Sequence, residues 1–181
     1  MTKTWMLACV AALSLTACDT KTPAPTSEKA ADAAGDKTLA AGLGDNARFA
    51  AAIKAAGLEG VLSGPTPYTL LVPNDAAFDK LPADALDALM KPEGRKQLTA
   101  VLTNHILPGT MLAADIGKAI DSGGGKTQIA TLGGGTLTAT RNGESIVLAD
   151  AAGTKATVIG PDGQRSNGVI HGLDGVMMAT K

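Results

Sequence analysis

The dipeptide Asn142-Gly143 separates two short segments, residues 136–141 and 144–148, that are rich in strand-forming residues. Asn-Gly in this setting is the strongest short-range signal for a β-hairpin. We expect a two-residue loop whose register places three facing pairs on one side of the hairpin: Arg141 with Glu144, Ala139 with Ile146, and Leu137 with Leu148. On that side the pairs away from the loop are apolar, and the pair next to the loop joins side chains of opposite charge. The second half of the chain is therefore predicted to form antiparallel sheet.

The first half of the chain has the 3.6-residue period of helices instead. Gly57 ends one predicted helix, whose recurring apolar residues are Phe49, Ala52, Ile53 and Ala56. Pro92 is expected in the first turn of a second predicted helix. The apolar stripe of that helix consists of Leu98, Val101 and Leu102, and His105 takes the next position on it. Because helices come first and antiparallel strands follow, the predicted fold class is α+β.

Three more strands are predicted around the hairpin. The first covers residues 68–72 and ends at Pro73, after which Asn74 is placed to cap a short helix that carries Phe78. The other two cover residues 155–159, before a predicted turn at Pro161-Asp162-Gly163, and residues 169–178.

The first residues of the chain, MTKTWMLACVAALSLTAC, are typical of a bacterial secretion signal. Lys3 precedes an apolar run of signal-peptide length, which is too short for a bilayer-spanning helix. The ending Leu15-Thr16-Ala17-Cys18 resembles the lipobox of bacterial lipoproteins, in which the cysteine receives a diacylglyceryl group and the chain is cut before it. The alternative is an ordinary signal peptide cut after Ala17. In enteric-type sorting an aspartate at the next position, here Asp19, retains a lipoprotein at the inner membrane.

These features divide the chain into three parts. Residues 1–17 are predicted to be a signal peptide that is removed, residues 18–44 a lipid anchor and flexible tether, and residues 45–181 the folded domain. The tether contains proline, threonine, alanine and scattered charges, which offer no apolar face to bury. The expected localisation is extracytoplasmic, with Cys18 anchoring the protein to a bacterial membrane in the periplasm or at the cell surface.

Composition argues against several kinds of site. Cys9 leaves with the signal and Cys18 is lipidated, so no thiol remains for a disulfide, a metal site or a nucleophile. Two histidines without a carboxylate at ligand spacing do not predict a metal site, and no cofactor is expected. Removal of Lys3 leaves 15 basic against 17 acidic residues and few aromatic rings, which argues against a nucleic-acid partner.

The two histidines, His105 and His171, decide whether catalysis is expected. On a strand, residues three or five positions apart point to opposite faces, so His171 should meet neither Asp174 nor Ser166. A hydrolase needs a nucleophile, a base and an orienting group in mutual reach, and the sequence suggests no such set. We therefore interpret both imidazoles as hydrogen-bonded structural groups and expect no enzymatic activity. His105, at a helix end, is expected to favour its charged form slightly through the helix dipole.

Two glycine-rich stretches bear a partial likeness to nucleotide-binding loops. Residues 121–128 include Gly125-Lys126-Thr127, but the first glycine that a P-loop requires falls at Ile120. Residues 42–47 fit the loosest dinucleotide pattern but follow the tether and not a strand. Glycines 123–125 and 133–135 are instead predicted to form mobile loops between strands.

Three stretches, taken together, resemble the fasciclin domain, a module of extracellular and cell-surface proteins. Residues 68–78 (YTLLVPNDAAF) resemble its first motif, residues 102–109 (LTNHILPG) its central histidine motif, and residues 167–178 (NGVIHGLDGVMM) its second motif and closing strand. The likeness covers about residues 45–179 and implies a β-rich wedge or sandwich with several short flanking helices. Many animal members carry a tyrosine just before the central histidine and are linked to receptor adhesion through it. Here that residue is Asn104, so receptor binding is not carried over.

The resemblance also implies a non-catalytic role in adhesion or protein–protein contact outside the cytoplasm. The predicted function is that of a lipid-anchored domain whose surface binds an unidentified protein partner. The alternative is a carbohydrate-binding protein that contacts a matrix or envelope glycan. It is disfavoured because sugar-binding platforms use flat aromatic rings. The aromatic residues left after signal removal, Phe49, Tyr68 and Phe78, are all expected in the core.

Overall fold

The computed structural model describes residues 36–44 and 46–178. The α-helices in this part of the chain are α1 (Ala47–Ala56), α2 (Glu59–Ser63), α3 (Asp75–Asp79), α4 (Ala83–Met90), α5 (Arg95–Asn104) and α6 (Ala113–Ser122). The strands are β1 (Tyr68–Pro73), β2 (Ile106–Pro108), β3 (Lys126–Ala130), β4 (Thr136–Asn142), β5 (Ser145–Ala149), β6 (Lys155–Arg165) and β7 (Gly168–Leu173). Short 3₁₀ helices cover Ala41–Leu43 and Pro92–Gly94.

The strands form one sheet in the order β2-β1-β7-β6-β5-β4-β3. Neighbouring strands are antiparallel except β1 and β7, which run parallel with Tyr68 opposite Gly168. The two ends of the sheet meet where the Leu132 N–H, just after β3, donates to the Ile106 carbonyl of β2 at 2.8 Å. The sheet is thus a nearly closed wedge with short helices around it, and the predicted α+β class is confirmed.

Two apolar clusters join the helices to the sheet, and alternate residues of β1 contribute to both. Leu70 and Val72 belong to the first cluster, and Leu71 belongs to the second. The first includes the two stripes predicted from helical spacing, with Phe49, Ala52, Ile53, Leu98, Val101 and Leu102 all buried. The second lines the wedge under α6 and includes Ile116, Ile120, Leu137 and Leu148. Within the described ranges, no helix is both long enough and apolar enough to span a bilayer.

The predicted helix signals act as expected at two positions. Gly57 follows α1 with a left-handed φ of 76°, and its N–H donates to main-chain carbonyls in the last turn. Asn74 precedes α3, and its side-chain oxygen accepts the N–H of Ala77 at 2.8 Å.

The predicted hairpin forms, but its loop is displaced by one residue. Asn142 pairs with Ser145 and Arg141 with Ile146, so the two loop residues are Gly143 and Glu144. Gly143, in the first loop position, has a φ of 59°, whereas Glu144 in the second does not have a positive φ. This is the pattern of a type II′ turn and not of the type I′ turn that Asn-Gly favours, which needs a positive φ at both positions. The expected facing pairs are therefore wrong, and Ala139 lies opposite Leu148. The predicted inner face is correct, with Leu137, Ala139, Ile146 and Leu148 all buried.

The predicted turn at Pro161-Asp162-Gly163 is wrong, because β6 continues through these residues as one strand from Lys155 to Arg165. Its register against β7 shifts twice, between Val158 and Gly160 and between Gly160 and Gly163. Asp162 adopts a left-handed φ of 58° within this bulged stretch. The last strand also ends earlier than predicted, at Leu173, after which the Asp174 N–H donates to the Thr157 carbonyl.

Residues 37–43, which we call the strap, pack against the domain although their composition indicated a tether. Leu39 and Leu43 are only 0% and 3% exposed. Asn167 holds the strap in place: its Oδ1 accepts the Leu39 N–H at 2.7 Å, and its amide nitrogen donates to the carbonyls of Leu62 and Gly64, each at 2.8 Å. The predicted boundary at residue 45 is therefore too late, because packing begins by Leu39.

Candidate functional site

His105, the first of the two predicted structural histidines, lies directly after α5 and is fully buried. Its Nδ1 is 3.0 Å from the carbonyl oxygen of Leu71 in β1, and its Nε2 is 3.1 Å from the main-chain nitrogen and 3.2 Å from the carbonyl oxygen of Met177. A neutral ring with its proton on Nδ1 donates to the Leu71 carbonyl and accepts the Met177 N–H, since a carbonyl only accepts and an N–H only donates. Phe49 packs edge-on against the ring with a centroid separation of 5.9 Å.

Burial controls the charge of His105. Loss of solvation lowers the pKa of this imidazole to about 4, against the smaller raising effects of its main-chain hydrogen bonds and of the Asp150 carboxylate. The expectation that the helix dipole favours the charged form is therefore wrong, because desolvation of a fully buried ring outweighs a dipole effect at the helix end. His105 is neutral at neutral pH.

His171 lies in β7 and is also fully buried. Its Nε2 is 2.8 Å from the carbonyl oxygen of Met111, and its Nδ1 accepts the main-chain N–H of Asp162 at 3.2 Å. The ring thus connects three parts of the chain: β7, the bulge of β6 and the loop before α6. Both nitrogens are used, so the ring has no position left for a substrate proton.

Asp174 and Ser166, the residues near His171 in sequence that a catalytic set would need, make no hydrogen bond to its ring. The Asp174 carboxylate accepts the Thr157 N–H at 2.6 Å, and Ser166 is exposed in the turn between β6 and β7. Among residues 36–44 and 46–178, no cluster of three histidine, cysteine or acidic side chains has the geometry to hold a metal ion. Cys18 and Asp19, the predicted lipid-attachment and sorting residues, lie outside the described residues.

Asn104 occupies the position before the central histidine and supports the loop after β3. Its Oδ1 accepts the hydroxyl of Thr131 at 3.0 Å, and Thr131 Oγ1 in turn accepts the N–H of Gly135 at 3.0 Å. A Cβ atom on Gly133 or Gly135 would lie 3.0 or 2.8 Å from the same Oδ1. These glycines therefore permit a close approach, which local composition did not indicate. The loop presents Leu132, a residue that is 40% exposed.

An apolar cleft opens beside His105, between helices α1, α4 and α5 and the C-terminal segment. Val176 and Met178 form one side, and the other lining residues are Phe49, Ala52, Phe78, Leu81, Leu86, Leu89, Leu98, Val101 and Leu102. His105 is the one polar side chain among the residues of this lining, and both its nitrogens are bonded to main chain. The cleft thus offers no group that could orient a polar substrate.

Comparisons with known proteins agree with this arrangement. The family model of the fasciclin domain matches residues 44–179. Protein sll1483 of Synechocystis sp. is 38% identical over 141 residues, which cover 77% of this chain and 71% of that protein. Transforming growth factor-beta-induced protein ig-h3 of Sus scrofa is 35% identical over 129 residues, covering 71% of this chain but only 17% of the porcine protein. The solved FAS1 domain pair of the insect cell adhesion molecule fasciclin I superposes with a TM-score of 0.60 at 19% identity, covering 79% of this chain and 51% of that one.

The family match includes every element that builds the histidine contacts, from the first helix to the segment that carries Met177. The three motifs noted in the sequence also take their places in the fold: β1 with the Asn74 cap, the end of α5 with His105, and β7 with His171. By sequence match and by fold, this chain belongs to the fasciclin domain family.

Proposed function

We propose that this chain is a non-catalytic, lipid-anchored fasciclin domain that acts outside the cytoplasm by binding a partner protein. Fasciclin domains generally serve in adhesion and not in catalysis. One observation carries the proposal: both imidazoles are fully buried and bonded to main-chain groups, so neither is available for proton transfer to a substrate. In this proposal the outer surface of the domain binds the partner protein.

In this proposal Cys18 carries the lipid and Asp19 directs sorting. Mass spectrometry of the N-terminal peptide from wild type and from Cys18→Ser tests the anchor, because only a lipidated cysteine adds the mass of acyl chains. An unmodified cysteine in the wild type would refute the anchor. Fractionation of wild type and Asp19→Ser tests the sorting role. The aspartate has no such role if both proteins enter the outer membrane.

The partner is to be identified by crosslinking in living cells followed by mass spectrometry. Cys18→Ser is the matched control, since it leaves residues 36–178 unchanged but removes the proposed anchor. We expect one protein to be crosslinked reproducibly to the wild type and less to the control. The protein-binding proposal is contradicted if the wild type yields the same set of proteins as an unrelated lipoprotein of similar abundance.

Carbohydrate binding is the competing function, and the aromatic residues argue against it. Phe49 and Phe78 are 1% and 7% exposed, and Tyr68 is half-buried. No aromatic ring of the described residues is therefore open enough to form a sugar-stacking platform. A glycan array probed with the full chain separates the two functions. Saturable binding to one class of glycan would replace the protein partner with a carbohydrate.

A further inference from the structure

The strap enters the domain at one end of the sheet. The Lys37 carbonyl accepts the N–H of Ser166, which lies in the turn between β6 and β7. Strands β1 and β7 both begin at this end, with Tyr68 opposite Gly168, and β2 finishes here with Pro108 opposite Tyr68. Three loops therefore surround the point where the strap enters. We call this region the strap end: residues 64–67, 108–110 and 166–167.

The strap end differs chemically from the opposite end of the sheet. Its loops read GPTP, PGT and SN and contain no ionisable side chain, while Lys37 and Arg165 flank them and Asp36 lies beside Lys37. The exposed residues in these loops are Pro65, Thr66, Pro67, Pro108, Thr110 and Ser166. The opposite end, where β1 and β7 finish, carries four carboxylates: Asp75, Asp79, Asp150 and Asp174. Three basic side chains lie beside them, Lys80, Lys155 and Arg48, and Arg48 pairs with Asp79 at 2.6 Å, so this end keeps a small excess of negative charge.

This asymmetry matters next to a membrane. Bacterial lipid surfaces carry negative charge, which repels carboxylates and attracts lysine and arginine side chains. The strap end, with neutral loops and flanking basic side chains, can approach such a surface at little electrostatic cost. The opposite end would be repelled, because its carboxylates carry the same sign of charge as the lipid surface. Charge therefore favours the strap end over the opposite end as the side nearer to the lipid.

The length of chain before the strap favours the same orientation. Eighteen residues, from Asp19 to Asp36, lie between Cys18 and the strap. The flexible tether predicted from the sequence would, at that length, have an end-to-end distance of about 23 Å. The six residues of β1 lead away from the strap end over a further ~20 Å. A domain attached at this point has its strap end nearer to the bilayer than its opposite end.

We infer that the strap end faces the anionic lipid surface to which Cys18 is attached, and that the opposite end projects away from it. This inference rests on the lipid anchor of the proposed function and adds an orientation and a second binding surface to it. The strap end contacts lipid headgroups, and the opposite end is the part of the domain that a partner protein can reach.

The orientation is tested by depth-dependent quenching of single labels on the full lipidated chain. Once Cys9 is removed and Cys18 is acylated, an introduced cysteine is the single free thiol of the protein. Ser166→Cys and Thr66→Cys place a fluorophore at the strap end, and Ala152→Cys and Ala151→Cys place one at the opposite end. All four positions are exposed. The labelled proteins are reconstituted into vesicles of phosphatidylethanolamine and phosphatidylglycerol that contain a nitroxide-labelled phospholipid.

We expect the nitroxide lipid to quench both strap-end labels several-fold more than both opposite-end labels. Equal quenching at the two ends, or stronger quenching at the opposite end, would overturn the inference while leaving the anchor intact. Protein that does not bind vesicles and lacks acyl chains on Cys18 would refute the proposed anchor itself, and with it the orientation. Mass spectrometry of the same sample distinguishes these two failures.

Discussion

The Nε2 atom of His105 accepts a hydrogen bond from the main-chain N–H of Met177, 72 residues further along the chain, at 3.1 Å. The opposite ring nitrogen, Nδ1, is 3.0 Å from the carbonyl oxygen of Leu71. One side chain thereby joins the C-terminal segment to β1 in a place that excludes water. The central histidine of this fasciclin domain is therefore a cross-link between distant parts of the backbone.

This cross-link makes stability dependent on pH. Burial lowers the pKa of His105 to about 4 in the folded protein, while an unfolded histidine titrates near 6.5. Between these values the unfolded chain binds more protons, so the free energy of unfolding falls as the pH decreases from about 6.5 to about 4. The expected loss is about 3 kcal/mol in total. Urea unfolding at a series of pH values measures it.

The variant His105→Gln is the control for this prediction. Its amide donates and accepts hydrogen bonds but does not titrate, so the part of the pH dependence due to His105 should disappear. Carboxylates contribute equally to both proteins and cancel in the comparison. If the two proteins lose stability in parallel between neutral pH and pH 4.5, the cause is not His105.

The second prediction concerns His171, whose ring joins β7 to Met111 and to the bulge at Asp162. His171→Phe preserves an aromatic ring but leaves the Met111 carbonyl and the Asp162 N–H without their partner. We expect the free energy of unfolding to fall by about 1–3 kcal/mol in total, because a fully buried unpaired polar group costs roughly that amount and these two groups are only partly buried. Tyr68→Phe is the matched control, because its hydroxyl makes no hydrogen bond to the described residues and its loss should change stability little. A His171→Phe protein as stable as this control would show that the two contacts contribute nothing.

The third prediction concerns the strap. Asn167→Asp keeps the shape of the side chain but replaces the amide donor with an oxygen that faces the carbonyls of Leu62 and Gly64. We expect a loss of about 2–4 kcal/mol, because an unpaired charge at a buried site costs more than a neutral group. Urea unfolding of the variant and the wild type measures this loss. Asn142→Asp, on the exposed hairpin tip, is the control. Equal losses of stability in Asn167→Asp and Asn142→Asp would contradict the role of Asn167.

Much of the fold could be predicted because the spacing of apolar residues within a segment indicates which side chains will be buried. The helix stripe of Leu98, Val101 and Leu102, the strand after Tyr68 and the cap at Asn74 each depend on residues that are close in sequence. The hairpin shows the limit of this approach. Moving the loop from Asn142-Gly143 to Gly143-Glu144 changes the residue opposite Ala139 from Ile146 to Leu148, a shift of two positions. Because side chains alternate with a period of two, Leu137 and Leu148 lie on the inner face in either register. Periodicity alone therefore does not choose between the two loops.

What could not be predicted depends on contacts between distant residues. Leu39 lies in a segment whose composition resembles a tether, and its burial requires an amide 128 positions away in Asn167. Pro161-Asp162-Gly163 has the composition of a turn, yet His171 holds the Asp162 N–H and β6 continues. The charge of His105 likewise depends on complete desolvation, which only the folded structure shows, whereas its position at a helix end is visible in the sequence.

The last prediction concerns the contact between Asn104 and the glycine-rich loop after β3. A Cβ atom at position 135 would lie 2.8 Å from Asn104 Oδ1, a separation that real Cβ atoms do not maintain. Gly135→Ala should therefore cost about 1–3 kcal/mol, the usual range for overpacking. Gly60→Ala is the control, because its Cβ would have no neighbour within 4 Å and lies in α2, where alanine is favourable.

A double-mutant cycle identifies the cause of that cost. Asn104→Ala removes the oxygen that the new methyl group would meet, so Gly135→Ala should destabilise the Asn104→Ala background much less than the wild type. We expect a coupling of about 1 kcal/mol, as is usual for residues in direct contact. Strictly additive changes in the free energy of unfolding would mean that the loop gives way elsewhere.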